Sequence, residues 1–181
     1  MSNVPETALW NQCLQGNTQA FEEIYKRFYP LLYAYGIKIV PDHDLIRDTI
    51  QNLFVKLIQN HRQLSPTPYI KGYLLCAFRN KLFDQLEQQK STDDIARYED
   101  RFITDELVST LFGTDTRESE QQKLMQAFRQ LPARQQKILY LYYVSELKHE
   151  EIAAVLDINY QSSKNLLFRA LTKLRELYFS R

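Results

Sequence analysis

The chain is short of glycine, nearly without cysteine and free of long apolar runs, and each shortage removes a class of protein. Four glycines in 181 residues is about a third of the usual abundance, too few for turn-rich β architecture or for glycine loops that cradle phosphates. Two cysteines, Cys13 and Cys76, cannot make a disulfide framework or a four-cysteine zinc site. No stretch approaches the ~18 apolar residues that span a bilayer. The start MSNVPETALW lacks the basic and apolar regions of a signal peptide. A cytoplasmic protein without direct membrane insertion is therefore expected. What is present is 44% apolar, 13% aromatic and 25% charged residues, enough for packed cores. The length predicts one or two small domains.

The net charge of +1 is a cancellation between unlike parts. Residues 1–90 carry 10 Lys+Arg and 8 Asp+Glu, giving +2; residues 91–120 carry 3 and 9, giving −6; residues 121–181 carry 10 and 5, giving +5. Two mildly basic blocks thus flank an acidic strip, and near-neutrality does not exclude a nucleic-acid partner.

Apolar residues recur at helical spacing through most of both blocks. Leu9, Cys13 and Leu14 form a short stripe ended by Gly16 and Asn17. Phe21, Ile24, Tyr25, Phe28, Leu31, Leu32 and Tyr35 form a second, with Gly36 near its end and Pro30 inside it, where a kink is expected. Leu45, Ile46, Ile50, Leu53, Phe54, Leu57 and Ile58 form a third, opened by Asp42 and Asp44 at its positive end. Leu64-Ser65-Pro66-Thr67-Pro68 must be a loop. A fourth helix is predicted over about 69–89. From 91 to 119 the pattern weakens into an acidic linker, with one short helix expected through Ile103, Leu107, Val108 and Leu111. The second block, 120–181, reads as helices over 119–130, 132–145, 148–156 and 160–178. The predicted fold is all-α: two small helical domains joined by the linker.

The last two helices carry the most information. A compact helix from Lys148 to Leu156, the turn Asp157-Ile158-Asn159 and a longer helix make a helix-turn-helix, whose second helix suits a major groove. On that helix Leu166, Ala170, Leu174 and Leu177 are predicted to face inward. Gln161, Lys164, Asn165, Phe168, Thr172 and Arg175 fall on the opposite face, with Arg169 and Lys173 flanking. Cations there can neutralise phosphates, while Gln, Asn and Arg can bond base edges.

Residues 131–175, from Leu131-Pro132-Ala133-Arg134-Gln135-Gln136 to Arg169-Ala170-Leu171-Thr172-Lys173-Leu174-Arg175, resemble region 4 of bacterial sigma factors. Phe21-Glu22-Glu23-Ile24-Tyr25, Asp48-Thr49-Ile50-Gln51-Asn52-Leu53-Phe54-Val55-Lys56-Leu57 and Ala77-Phe78-Arg79-Asn80-Lys81-Leu82-Phe83-Asp84 resemble region 2. Two such blocks about thirty residues apart resemble the extracytoplasmic-function group of the sigma-70 family. The resemblance implies an initiation subunit that joins core RNA polymerase and directs it to promoter DNA. It implies docking of Asp48, Gln51, Asn52 and Lys56 on the beta-prime coiled coil, and contact of the second domain with the beta flap. It implies a surface of Tyr69, Tyr73, Arg79, Asn80 and Lys81 for the melted −10 strand. The −35 element would fall to Gln161, Ser162, Lys164, Asn165, Phe168, Arg169 and Lys173. An anti-sigma partner, membrane-anchored in most relatives, is also implied. Asn52, where relatives usually carry an acid, weakens the expected docking charge, and Lys148 stands where a capping Ser or Thr is common.

No catalytic residue, cofactor or metal is expected. His149-Glu150-Glu151 lacks the second histidine of a zinc-protease helix, since position 153 is Ala153. His43 and His61 have no ligands at metal spacing, and Cys13 and Cys76 read as buried thiols. Two other readings stay open: a helix-turn-helix regulator that never joins the polymerase, and a helical module that binds only protein. The tyrosines of Ile138 to Val144, Tyr140, Tyr142 and Tyr143, are expected to offer a partner surface.

Overall fold

The computed structural model describes residues 4–89 and 118–180, which divide into two units on either side of residue 90. The described residues contain helices and no strand. The expected linker helix lies outside them.

In the first unit α1 (Glu6–Leu14) and α2 (Thr18–Ile39) are joined by a tight reversal. Gly16 takes the left-handed conformation (φ 82°), and the Asn17 amide donates back to the Gln12 carbonyl at 3.1 Å, closing α1 with a Schellman motif. The Asn17 side chain then caps α2, accepting from the amides of Gln19 and Ala20. Pro30 does not stop α2, which continues to Ile39. Gly36 lies inside that helix rather than ending it, for a packing reason. A Cβ there would stand 2.9 Å from Ile46 Cγ2 and 3.1 Å from Phe78 Cζ, so only a hydrogen lets three helices approach.

Helix α3 (His43–Gln59) is capped by Asp42, whose carboxylate accepts from the Leu45 amide at 2.9 Å. A short 3-10 turn at His61–Gln63 and an extended loop follow, and α4 (Ile70–Gln89) closes the unit. The core gathers Trp10, Phe21, Ile24, Phe28, Leu32, Tyr35, Ile46, Ile50, Phe54, Leu74, Phe78 and Leu82. Thr49 is fully buried among them, and its hydroxyl meets both the Leu45 carbonyl and the Gln85 side chain, linking α3 to α4.

The second unit contains α5 (Glu118–Arg129), α6 (Ala133–Leu139), α7 (His149–Val155) and α8 (Tyr160–Phe179). After α6 the chain widens into one π turn at Tyr140–Val144, where the Ser145 amide donates to the Tyr140 carbonyl at 3.0 Å. Tyr140 is 1% exposed and belongs to the core, so the expected three-tyrosine surface keeps only Tyr142 and the half-buried Tyr143. Helix α8 packs on α5, α6 and α7.

Helix α7 lacks a side-chain cap from Lys148, and Glu151 covers the early donor instead: its carboxylate accepts from the Lys148 amide at 3.0 Å. The turn after it is a second Schellman closure, with the Ile158 amide donating to the Ala153 carbonyl at 2.9 Å and Asp157 at φ 52°. Asn159 then caps α8 by accepting from the Ser162 amide at 2.7 Å.

The inward stripe of α8 differs from the predicted one. Ser163, Leu167, Ala170 and Leu174 are buried, whereas Leu166 and Leu177 are half-buried. Ser163 is fully buried where α8 crosses α7, its Oγ 3.0 Å from His149 Nδ1. A small hydroxyl fits that crossing and is satisfied there, which a hydropathy pattern cannot register.

Candidate nucleic-acid interface

Two surfaces of different shape emerge, one on each unit. The first is a cleft of about 580 Å³ between the end of α3, the 3-10 turn and α4. Its floor is apolar, from Leu53, Leu57, Leu64 and Ala77, and its polar rim comprises Lys56, Asn60, Gln63, Tyr73, Asn80, Lys81 and Asp84. On α4 residues 73, 77, 80, 81 and 84 share one face by helical spacing, which is why Tyr73, Asn80 and Lys81 converge. Tyr73 belongs to α4 and not to the loop before it.

The loop behind the cleft is held by Trp10, whose indole N–H donates to the Ser65 carbonyl at 3.1 Å. The Tyr73 ring meets the Trp10 ring edge-on at 5.4 Å, leaving Tyr73 37% exposed. Desolvation, with a smaller contribution from Cys76, raises the Tyr73 phenol above its ordinary pKa. Asn80 is exposed and its amide lies 3.8 Å from Cys76 Sγ.

Tyr69 and Arg79 are not among the residues that line the cleft. Tyr69 is half-buried before α4, and Arg79 lies over the Phe83 ring at 5.0 Å on another side of the helix. Arg79 still touches the site indirectly, donating to Asn80 Oδ1 at 3.4 Å. Asp48, Gln51, Asn52 and Lys56 are all exposed on α3. Lys56 also lines the cleft, at the border between that face and the α4 surface.

The second surface is the convex outer side of α8. Gln161, Lys164, Asn165, Phe168, Arg169 and Lys173 are exposed there, and Ser162 is half-buried. Phe168 is the most exposed large apolar residue described, at 72%. The amide of Gln161 donates to Asn165 Oδ1 at 3.2 Å, Lys164 lies 5.6 Å from the centre of the Tyr160 ring, and Lys173 pairs with Glu176 at 3.4 Å. These exposed pairings are weak enough to exchange for DNA contacts.

Beside α8 lies a shallower cleft of about 400 Å³ in which Arg134, from the start of α6, joins Ser162, Asn165 and Arg169. Two guanidinium groups, a hydroxyl and an amide line it with no carboxylate among the lining residues, a set suited to a phosphodiester. Arg134 was not among the sequence candidates. Its spacing pattern could not have revealed it, because it lies on a different helix from the residues it joins.

His149, the remnant of the dismissed zinc motif, is structural: besides Ser163 its ring meets Tyr142 and Tyr160. Among the described residues no group of three His, Cys, Asp or Glu could hold a metal ion, and no helix is long and apolar enough to cross a membrane.

A cleft on the first unit and a helix-turn-helix in the second follow one another along the chain, and known families share that order. The description "Sigma-70 region 2" matches residues 24–92 and "Sigma-70, region 4" matches residues 121–174. Similar curated proteins are the ECF RNA polymerase sigma factor SigM of Bacillus subtilis (strain 168), 25% identical over 162 residues covering 87% of this chain and 94% of that one, and the RNA polymerase sigma factor CarQ of Myxococcus xanthus, 25% identical over 162 residues covering 90% and 91%. The fold is shared with CnrH in complex with the cytosolic domain of CnrY, at TM-score 0.61 and 18% identity over 95% of this chain and 96% of that one. It is also shared with the sigma factor RpoE in complex with the anti-sigma factor NepR from Bartonella quintana, at TM-score 0.57 and 20% identity over 89% and 98%. The chain belongs to the extracytoplasmic-function group of the sigma-70 family of RNA polymerase sigma factors.

Proposed function

We propose that the two surfaces divide promoter recognition between them, with residues 1–90 serving polymerase docking and −10 melting, 91–119 a linker, and 120–181 the −35 element. The observation that carries this division is the convergence of Tyr73, Asn80 and Lys81 over an apolar floor. A base extruded from the duplex loses stacking worth a few kcal/mol, which an aromatic ring, an amide and a cation around an apolar floor can return. Lys56 adds a second cation to that cleft. Arg79 positions Asn80, and Tyr69 lies before α4, outside the cleft.

The exposed face of α3, with Asp48, Gln51, Asn52 and Lys56, docks on the beta-prime coiled coil. On α8, Gln161 and Asn165 supply paired amides for base edges, Phe168 an apolar contact, and Lys164, Arg169 and Lys173 cations. Ser162 and Arg134 complete a phosphate contact beside Arg169. The beta flap engages the second unit. The protein acts by binding, in the cytoplasm, without catalysis of its own. Solved neighbours held by anti-sigma partners support an anti-sigma protein for this chain as well, membrane-anchored on the pattern of a partner with a cytosolic domain.

A regulator that never joins the polymerase would have no use for the first unit's cleft. The deciding experiment is run-off transcription by core polymerase on the DNA upstream of this protein's own coding sequence. Transcripts that appear only with the protein support initiation, whereas duplex binding without transcripts would favour the regulator.

A further inference from the structure

Three tyrosines of α2 stand one helical turn apart and form a row that none of the surfaces above uses. Tyr25 and Tyr29 have ring centres 5.4 Å apart, and Tyr29 and Tyr33 stack at 5.8 Å and 16°. Tyr33 stacks in turn on His43 at 6.0 Å, with its hydroxyl 2.7 Å from His43 Nδ1. At the other end Tyr25 meets the Phe54 ring edge-on at 5.0 Å. All three tyrosines are half-buried.

The row touches α3 at His43 and again at Phe54, so it runs beside α3 along the stretch that carries Asp48, Gln51 and Asn52. Val55 and Ile58, 44% and 42% exposed, follow Phe54 on α3. Tyrosines held ring against ring offer broad contact area at little further cost in conformational entropy. We propose that Tyr25, Tyr29 and Tyr33 form an aromatic rail that extends the docking face of α3 and seats the same helix of the polymerase coiled coil. The proposal rests on the docking reading above.

Two features favour that occupant. The rail borders α3 at His43 and Phe54, Gln51 follows from that border round the helix toward Asp48, and a helix with side chains is about 10 Å across, wide enough to lie along the border and meet the rail and the near side of the face. The exposed side of α3 carries little net charge: Asp44 pairs with Arg47 at 3.2 Å, and Asp48 and Lys56 are of opposite sign. An adjacent aromatic strip supplies the contact that net charge does not.

The test uses the full chain titrated against core polymerase at low and raised salt. Tyr29→Ala/Tyr33→Ala is expected to lower affinity about tenfold, with the loss persisting at raised salt, while Tyr29→Phe/Tyr33→Phe stays within about twofold. Asp48→Lys is expected to weaken binding in a salt-dependent way. Normal core binding by the alanine pair, alongside weakened Asp48→Lys, would refute the rail and leave the docking face standing. Normal binding by all three variants would refute both. Should the alanine pair misfold, a photo-crosslinking residue at Tyr29 decides: crosslinks to the beta-prime subunit support the rail, and their absence there overturns it.

Discussion

The two units present surfaces of different shape and chemistry, suited to the different recognition tasks proposed for them. The first presents a concave site with an apolar floor and a few polar groups on its rim. The second presents a convex helix whose amides, cations and one phenyl ring stand in solvent. A single unstacked base exposes its faces and is best held by enclosure. A duplex exposes only groove edges and phosphates, so the protein must protrude. On the proposed division, whether helix packing leaves a gap or a ridge sets which form of DNA each unit takes.

Substitutions that strike one surface and spare the other provide the sharpest break of this comparison. Asn80→Ala is expected to slow promoter opening roughly tenfold to a hundredfold, on the scale of one lost base contact of ~1–3 kcal/mol, while −35 duplex affinity stays unchanged. Permanganate reactivity of the −10 thymines measures the first quantity and fluorescence anisotropy the second. Equal loss in both assays would erase the proposed division.

Arg134→Ala should do the converse with a smaller effect. Weaker −35 binding for every sequence tested and a salt slope reduced by about 0.9 are expected for one lost phosphate contact. An unaltered slope would remove Arg134 from the interface.

Gly36→Ala probes the scaffold of the first unit alone. The added methyl would overlap Ile46 and Phe78, so a loss of about 1–3 kcal/mol from overpacking is expected, seen as a lower urea midpoint. The second unit, followed by −35 binding, should be unaffected.

The smallest expected difference concerns alkaline pH. Burial pushes the Cys13 thiol up to about 11 from its ordinary 9.0. The folded first unit thus holds a proton that the unfolded chain releases above pH 9. Its stabilising contribution is complete below pH 9 and declines as pH rises toward 11. Wild type should lose more stability than Cys13→Ala over that window, and parallel pH profiles would show that the thiol is not protected.

Much of this molecule was legible from residue order. Helical periodicity located the eight described helices to within a few residues, because each must bury an apolar stripe. Asp42 and Asn159 act as caps through carboxylate and amide groups beside the first turns they satisfy. The likeness to regions 2 and 4 was also readable, since it lies in short local motifs. Less visible were features that depend on two helices at once. Ser163 reads as a surface residue until α7 brings His149 to its hydroxyl. Leu166 and Leu167 are both plausible core positions until the crossing of α7 and α8 selects the latter.

The functional residues show the same boundary. Tyr73, Asn80 and Lys81 share a face of one helix, so spacing alone could group them. The resemblance to region 2 groups Tyr69 and Arg79 with them, and in the structure these two stand outside the residues lining the cleft. Arg134 went unnoticed because its neighbours Arg169 and Asn165 are more than thirty positions away.

By itself the sequence determined the all-helical class, the two blocks, the acidic strip and the family, since periodicity, capping and motif order are properties of neighbouring residues. Only the tertiary structure decided which side chains meet: that Lys56 borders the Asn80 cleft, that Arg134 faces Arg169, and that three tyrosines of α2 flank α3. Those meetings depend on how helices cross, and crossing is set by the summed packing of whole faces rather than by any one residue.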